Sequence, residues 1–112
     1  MRQIIILPHF AKQVKYYKKK YRDLVETISK TLEEFTETQA VPLGQHLYKI
    51  PFKIKYLPRG KSSSFRLIIL LAEVNRCLVP VTVYFKGDKE NMGKKELNDH
   101  LEIILFELRT RI

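Results

Sequence analysis

The chain has 112 residues, which fits one domain spanning 1–112, and 45% of them are hydrophobic, enough for a core without disulfides or structural metals. The single cysteine, Cys77, excludes an intramolecular disulfide and a zinc site built from cysteines. A net charge of +9, from 21 Lys and Arg against 12 Asp and Glu, favours a polyanionic partner: nucleic acid, the ribosome or an acidic protein. The alternative is a basic surface that serves only solubility.

The first third of the chain predicts a strand and a helical hairpin. Residues 3–7 are apolar and rich in β-branched side chains, which predicts a strand. From 9 to 22 the apolar residues recur at spacings of four, three and four, which predicts an amphipathic helix. Asp23, followed three residues later by Glu26, predicts a capping box that opens a second helix reaching about Thr38. Because almost no linker separates the helices, we expect an antiparallel hairpin.

The first apolar run also bears on location. Residues 4–7 are too few for the apolar core of a signal peptide or for a membrane span, and Pro8 ends the run. A lone cysteine suits a reducing compartment. We therefore expect a cytoplasmic protein without a membrane partner.

The second half of the chain changes to a period of two. Pro42 and Gly44 predict a loop. The segments 47–55, 65–74 and 77–86 then alternate between apolar and polar residues and predict three strands.

Two further signals complete the predicted fold. Pro80 inside the last strand predicts a sheet edge, a bulge or an outward-facing N–H. Residues 94–112 are amphipathic and predict a C-terminal helix with Gly93 as its N-cap. The predicted order is β-α-α-β-β-β-α, an α+β domain in which the helical hairpin packs on a mostly antiparallel four-stranded sheet.

Strand alternation sorts the side chains onto two faces of this sheet. One face is apolar and should lie on the hairpin; its members are Tyr48, Ile50, Phe52, Ile54, Phe65, Leu67, Ile69, Leu71, Val79, Val81, Val83 and Phe85. The opposite face gathers Lys49, Lys53, Arg66, Thr82, Tyr84 and Lys86 near one end. Beyond them, Ile68 and Leu70 predict an apolar stripe that the C-terminal helix leaves open for a partner.

Arg66 is the most informative residue of the polar face, because its neighbours along the chain are apolar. Clustered cations cost stability and usually serve an anion, so Arg66 is expected to project into a basic concavity. The alternative is that Arg66 extends to solvent or pairs with an acidic neighbour such as Glu73, Asp88 or Glu90.

Three segments resemble the signature strands of RelE/ParE-type toxins of bacterial type II toxin–antitoxin systems: "LYKIPFK" at 47–53, "RGKSSSFRLIILL" at 59–71 and "VTVYFKGDKENM" at 81–92. With the hairpin and the element order, the resemblance covers nearly the whole chain. It implies a microbial RNase fold, whose RelE branch cleaves mRNA in the ribosomal A site without a metal, while the ParE branch poisons DNA gyrase. It also implies a cognate antitoxin, usually acidic, as the partner.

The resemblance also assigns roles. It implies that Lys49 is the first basic residue of the strand after the hairpin and that Arg66 faces the scissile phosphate. Tyr84 matches a tyrosine of the last strand, and Lys86 and Lys89 lie where the family places another basic group. The implied catalytic set is Lys49, Arg66, Tyr84 and Lys86; the implied substrate-binding set is Lys53, Lys61 and Lys89; no metal or cofactor is implied.

Three departures from the family pattern bear on activity. Pro51 stands where a second basic residue is frequent, and Ser63-Ser64 replaces Gly-Gly. Ile69 replaces a frequent tyrosine, although on the packed face of the sheet. Three interpretations therefore stay open: an mRNA endoribonuclease acting on translating ribosomes, a gyrase inhibitor acting by protein contact, or an inactive member that only binds its antitoxin.

Metal-free RNA cleavage needs a group that stabilises the phosphorane, a base and an acid, and the polar face offers a candidate for each. Arg66 suits stabilisation of the pentavalent phosphorane, since its planar fork matches phosphate oxygens. Lys49 is the candidate base, because nearby positive charges favour a neutral amine. Tyr84, Lys86 or Lys89 is the candidate acid.

The remaining tyrosines and histidines are expected to lie mostly outside the site. In the run "KYYKKKYR" at 15–22, Tyr17 and Tyr21 are expected in the core, and the lysines either contact an RNA backbone or form a solvated face. His9 and His100 fall on other elements and are expected to be structural, and His46 is expected in an exposed loop.

Overall fold

Two helices, four consecutive strands and a last helix follow a short first strand along the chain. The computed structural model describes residues 2–55, 64–72, 76–88 and 91–111. The elements are β1 (Gln3–Ile4), α1 (Pro8–Lys18), α2 (Leu24–Glu33), a 3₁₀ turn (Glu37–Gln39), β2 (Val41–Gly44), β3 (Leu47–Lys53), β4 (Ser64–Ala72), β5 (Cys77–Phe85) and α3 (Lys94–Thr110). The predicted order is confirmed, with one strand more than predicted.

The sheet has the strand order β1-β5-β4-β3-β2 over the described residues. Among the strands that the structure describes, only the pairing of β1 with β5 is parallel; the pairs β2–β3, β3–β4 and β4–β5 are antiparallel. A mostly antiparallel sheet is therefore confirmed, but it has five strands there and not four.

The additional strand is β2, which lies where a loop was predicted. Val41 and Pro42 pair with the first half of β3. A proline is tolerated in β2 because this strand lies at the sheet edge, where a missing N–H breaks no ladder bond. The turn to β3 places Gly44, Gln45 and His46 at positive φ values of 86°, 54° and 65°, as a tight hairpin turn requires.

Pro80 lies at a bulge in β5, one of the three outcomes that its sequence position predicted. The register pairs Ile68 with Thr82, Ile69 with Pro80, Leu70 with Val79 and Leu71 with Leu78. Val81 is thus an extra residue on β5, and the alternation inverts beyond it. The prediction that Val79 shares the hairpin-side face is wrong: Leu78 pairs onto that face, because a proline N–H is not available to continue the ladder in register.

An aromatic cluster joins the helical hairpin to the sheet. The Phe65 ring has its centroid 5.0–5.5 Å from those of Tyr17, Tyr21, Phe52 and Phe85. Phe65 itself is 0% exposed. The expectation of a core position is confirmed for Tyr21, whereas Tyr17 is half-buried and packs against the core. The apolar face of the sheet lies on the hairpin as predicted.

The connection between α1 and α2 differs from the predicted capping box. Asp23 is the N-cap residue of α2, but its side chain makes no cap hydrogen bond. Its Oδ2 instead accepts the backbone N–H of Lys55 at 2.8 Å. The carboxylate thus fixes the end of β3 against the hairpin. Both helices are also shorter than predicted.

The last helix packs against α1 and β5. Gly93 is its N-cap in extended backbone, as predicted, and Leu101 and Ile104 are its buried residues. No helix of the described ranges combines the length and the apolar composition needed to cross a membrane.

The aromatic cluster yields a stability prediction. Phe65→Ala should lower the free energy of unfolding by about 3–5 kcal/mol, because it removes a ring that touches four others. Phe106→Ala is the matched control: Phe106 is 60% exposed on α3, and its loss should change stability by less than about 0.5 kcal/mol. Urea unfolding of both variants measures this; equal losses would show that Phe65 is not central to the core.

Candidate active site

The register of β3, β4 and β5 places nine residues of the polar face in three rows. Across the three strands, the rows are Lys53–Ser64–Lys86, Pro51–Arg66–Tyr84 and Lys49–Ile68–Thr82. Neighbouring strands lie about 5 Å apart, and rows two residues apart are separated by about 7 Å. Four predicted site residues, Lys49, Lys53, Arg66 and Lys86, therefore share an area of about 14 by 10 Å. These four residues are called the basic patch below.

Arg66 occupies the centre of the basic patch. Its direct partners across the strands are Pro51 and Tyr84. The diagonal neighbours of such a pair lie about 7–8 Å away, and here three of them are lysines: Lys49, Lys53 and Lys86. A guanidinium surrounded by ammonium groups is destabilised by repulsion between like charges, and a bound anion relieves that repulsion.

Acidic side chains do not neutralise this arrangement within the described residues. None of the ion pairs found there involves the basic patch. Arg66 donates from Nη1 to the carbonyl oxygen of Phe65, its own strand neighbour, at 3.1 Å. Asp88 accepts instead from the Tyr17 hydroxyl. Glu73 and Glu90, the other two acidic residues that could pair with Arg66, lie outside the described residues.

The β5 side of the polar face is covered, contrary to expectation. Thr82 is 0% exposed, Tyr84 is 3% exposed and Ile68 is 1% exposed. The prediction of an open apolar stripe is therefore wrong for Ile68, whereas Leu70 is half-buried. Alternation along a strand gives the direction of each side chain but not which helix lies over it. Here α1 and α3 both contact β5. Tyr84 is therefore the least accessible residue of the predicted catalytic set.

The other predicted residues divide by exposure. Lys53 and Lys86 are exposed, whereas Lys49 and Arg66 are half-buried. Lys61 and Lys89, predicted to bind substrate, lie outside the described residues, as does Ser63. The direct pairing of Pro51 with Arg66 leaves an apolar ring where a second base would stand.

The turn that carries Lys86 is fixed to α1. The Tyr17 hydroxyl donates to Asp88 Oδ2 at 3.3 Å and accepts the Phe85 N–H at 3.4 Å. Burial raises the pKa of Tyr17 to about 12, so the phenol stays a donor at neutral pH. A Cβ on Gly87 would lie 2.2 Å from the Phe85 ring, so only glycine allows this close approach.

A polar cluster that the sequence did not predict joins α1, β5 and α3. His9 Nε2 lies 2.8 Å from His100 Nδ1, and Gln13 Nε2 lies 3.4 Å from the same atom. The Thr82 hydroxyl donates to Gln13 Oε1. The Gln13 amide therefore donates to His100, which makes His100 Nδ1 an acceptor and His9 Nε2 its N–H donor; this proton assignment follows from the network.

These four residues, His9, Gln13, Thr82 and His100, form the histidine clasp. Glu107 supports it from α3 by accepting the His9 backbone N–H at 3.0 Å. Both histidines are structural, as expected, but their meeting is invisible in the sequence because 91 positions separate them. Within the described ranges, no three His, Cys, Asp or Glu residues are grouped so that they could hold a metal ion.

Comparison with known proteins finds likeness in structure but none in sequence. No family model matches the sequence, and no curated protein matches it. Among solved structures, the chain is similar to a mutant of the E. coli toxin RelE in its free state, at 16% sequence identity and a TM-score of 0.48. The similarity covers 99% of this chain and 97% of that chain. At these values the likeness carries no argument by itself, and function has to be argued from the residues.

The histidine clasp predicts a pH dependence of stability. Burial lowers the pKa of His9 from its ordinary 6.5; Glu107 opposes the shift, and Lys12 adds to it. The unfolded chain therefore binds this proton more readily than the folded chain. Stability should be complete above about pH 6.5, decrease as the pH falls below it, and level off under the lowered pKa.

Urea unfolding between about pH 8 and pH 5 measures this dependence. His9→Gln should flatten it, whereas His46→Gln, on the exposed β2–β3 turn, should not. An unchanged pH profile in His9→Gln would assign the dependence to other groups.

Proposed function

We propose that this protein is the toxin of a RelE/ParE-type toxin–antitoxin module and cleaves mRNA on translating ribosomes without a metal ion. The observation that carries the proposal is the basic patch: Arg66 lies amid three lysines on one sheet face, without a carboxylate partner in the described part of the chain. The three signature segments that resemble the family contribute these same residues.

The patch matches the charge that develops during RNA cleavage. The 2′-oxygen attacks the adjacent phosphorus, the bond from phosphorus to the 5′-oxygen breaks, and the products carry a 2′,3′-cyclic phosphate and a 5′-hydroxyl. Arg66 contacts the equatorial oxygens of the phosphorane, where its fork donates two parallel hydrogen bonds. Preorganised donors of this kind act where charge accumulates in the transition state.

Proton transfer is assigned to the lysines around Arg66. Lys49 is assigned the removal of the 2′-hydroxyl proton, because it lies one row from Arg66 on the same face of the sheet. Lys86, exposed on the fixed turn after β5, protonates the leaving 5′-oxygen. Tyr84 takes this second role only if α1 or α3 moves, since its side chain is buried.

Pro51 limits the rate in this scheme. A positioned acid or base contributes roughly 10²–10⁴-fold to a rate, and the frequent second base of the family is missing beside Arg66. We therefore expect slow cleavage of free RNA and faster cleavage on the ribosome, which supplies orientation of the mRNA.

The partner that neutralises the toxin is proposed to be a small acidic antitoxin. The argument rests on charge, because the chain carries +9 and the basic patch lacks its own counterions among the described residues. An acidic segment lying on the patch would exclude RNA, so the antitoxin and a short RNA should compete for binding.

Substitution of Arg66 tests the proposed chemistry. Arg66→Ala should abolish new mRNA 3′ ends and relieve growth arrest on induction, while changing stability by less than about 1 kcal/mol, since the side chain is half-buried on the polar face. Arg22→Ala, an exposed arginine in the connection between α1 and α2, is the control and should keep full toxicity.

The same variant separates the rival functions. If Arg66→Ala still arrests growth and still inhibits purified DNA gyrase, the protein acts as a gyrase poison by protein contact. If the wild-type protein neither cleaves mRNA nor inhibits gyrase, it only binds its antitoxin. Loss of folding in Arg66→Ala would assign Arg66 a structural role.

The salt dependence of RNA binding tests the position of the site. Log affinity for a short single-stranded RNA should fall linearly with log salt, with a slope of about −0.7 for each phosphate contact. Lys49→Ala, Lys53→Ala and Lys86→Ala should each make the slope shallower by about 0.7. Lys30→Ala on α2, which packs on the opposite face, should not. Equal slopes in all four variants would mean that the charge acts diffusely.

A further inference from the structure

Helix α1 carries a second stripe beside the apolar one. Its residues within the helix are His9, Gln13 and Tyr16, at spacings of four and three, so they lie on one side of α1. His9 and Gln13 belong to the histidine clasp. Tyr16 does not, and its side chain is 77% exposed. An aromatic ring this accessible contributes nothing to a core.

Tyr16 is nevertheless held in place. Its ring meets the Tyr17 ring edge to face, with centroids 5.0 Å apart and planes at 84°. Tyr17 is itself fixed by its hydroxyl bonds to Asp88 and to the Phe85 N–H. Tyr16 therefore presents a supported ring to solvent, and a ligand that stacks on it loses little of its affinity to ordering the protein.

A cavity of about 170 Å³ lies beside this ring, between α1, β5 and the start of α3. Its lining includes Tyr16, Tyr84 and Met92 as apolar surfaces and Gln13, Glu96 and His100 as polar groups. It is smaller than the roughly 300–1,000 Å³ of pockets for drug-sized ligands, so it suits a single planar ring.

The cavity adjoins the basic patch. Tyr84 lines it and is the direct cross-strand partner of Arg66. Paired residues of this kind have Cα atoms about 4.5–5.5 Å apart. When a phosphate of an RNA lies on Arg66, the next base of the same RNA chain is therefore within reach of the cavity. Lys12, one turn before Tyr16, is exposed and adds positive charge on that side.

We propose that this cavity is a nucleobase subsite, in which one base of a single-stranded RNA stacks against Tyr16 while its phosphate lies on Arg66. The inference rests on the proposed function and extends it by naming the part of the RNA held outside the basic patch. Stacking on an aromatic ring accepts any base, since every base has a π-face. The subsite therefore contributes affinity and position more than sequence preference.

Substitution of Tyr16 tests the subsite with two polyanions. The RNA probe is a short 2′-O-methyl oligonucleotide, which cannot be cleaved, and inorganic polyphosphate of similar charge lacks bases. Tyr16→Ala should weaken RNA binding about 5- to 100-fold and leave polyphosphate binding unchanged. The salt slope should stay the same, because no charge is removed.

Two variants serve as controls. Tyr16→Phe should bind RNA as the wild type does, because it keeps the ring. Phe106→Ala removes another exposed ring, 60% exposed on α3 and outside the cavity, and should also bind normally. The thermal unfolding midpoints of all variants should match that of the wild type, as for other surface substitutions.

A spectroscopic variant reports stacking directly. The chain contains no tryptophan, so Tyr16→Trp introduces a single tryptophan at the subsite, whose emission can be excited selectively over that of the remaining tyrosines. RNA should quench its emission and polyphosphate should not.

If Tyr16→Ala binds RNA as tightly as the wild type, the subsite is refuted while the proposed function stands. If Tyr16→Ala loses affinity for RNA and for polyphosphate to the same degree, the substitution disturbs the fold, and Tyr16 does not contact a base. If the wild type binds no RNA, both proposals fail together.

Discussion

Phe65 and Arg66 point to opposite faces of β4, so the packing of the core fixes the face on which Arg66 lies. Phe65 enters the aromatic cluster beneath the helical hairpin, so Arg66 must emerge on the other face. A slip of one residue against β3 or β5 would bury the guanidinium and expose the ring, which the cluster makes costly. The contacts that stabilise the fold therefore also hold Arg66 among Lys49, Lys53 and Lys86.

Helix α1 serves two purposes at once because its stripes face different neighbours. Phe10 and Tyr17 pack on the sheet side, while His9 and Gln13 reach β5 and α3 through the histidine clasp. The Tyr17 hydroxyl also bonds to the turn that bears Lys86, so α1 fixes the position of this turn. One helix thus positions a basic residue of the patch, covers Thr82, and supports the exposed ring of Tyr16.

Two prolines in the inner strands of the sheet, Pro80 and Pro51, have opposite consequences. Pro80 disrupts the ladder between β4 and β5 and inverts the alternation beyond the bulge, so that Leu78 takes the side expected for Val79. Pro51 leaves the register of β3 with β4 intact, and it changes the chemistry of the site because it lies directly beside Arg66. The proposed RNase therefore relies on the lysines diagonal to Arg66, and its rate on free RNA is expected to be low.

The sequence by itself determined the element order, the hairpin, and the common face of Lys49, Lys53 and Arg66, because helix and strand periods are local properties of the chain. It also placed Tyr21 in the core. Only the tertiary structure decided that Val41–Gly44 is an edge strand, that Asp23 holds Lys55 instead of capping a helix, and that Ile68, Thr82 and Tyr84 are covered. Each of these depends on which element lies against another, and residues far apart in the chain, such as His9 and His100, leave no periodic signal of their contact.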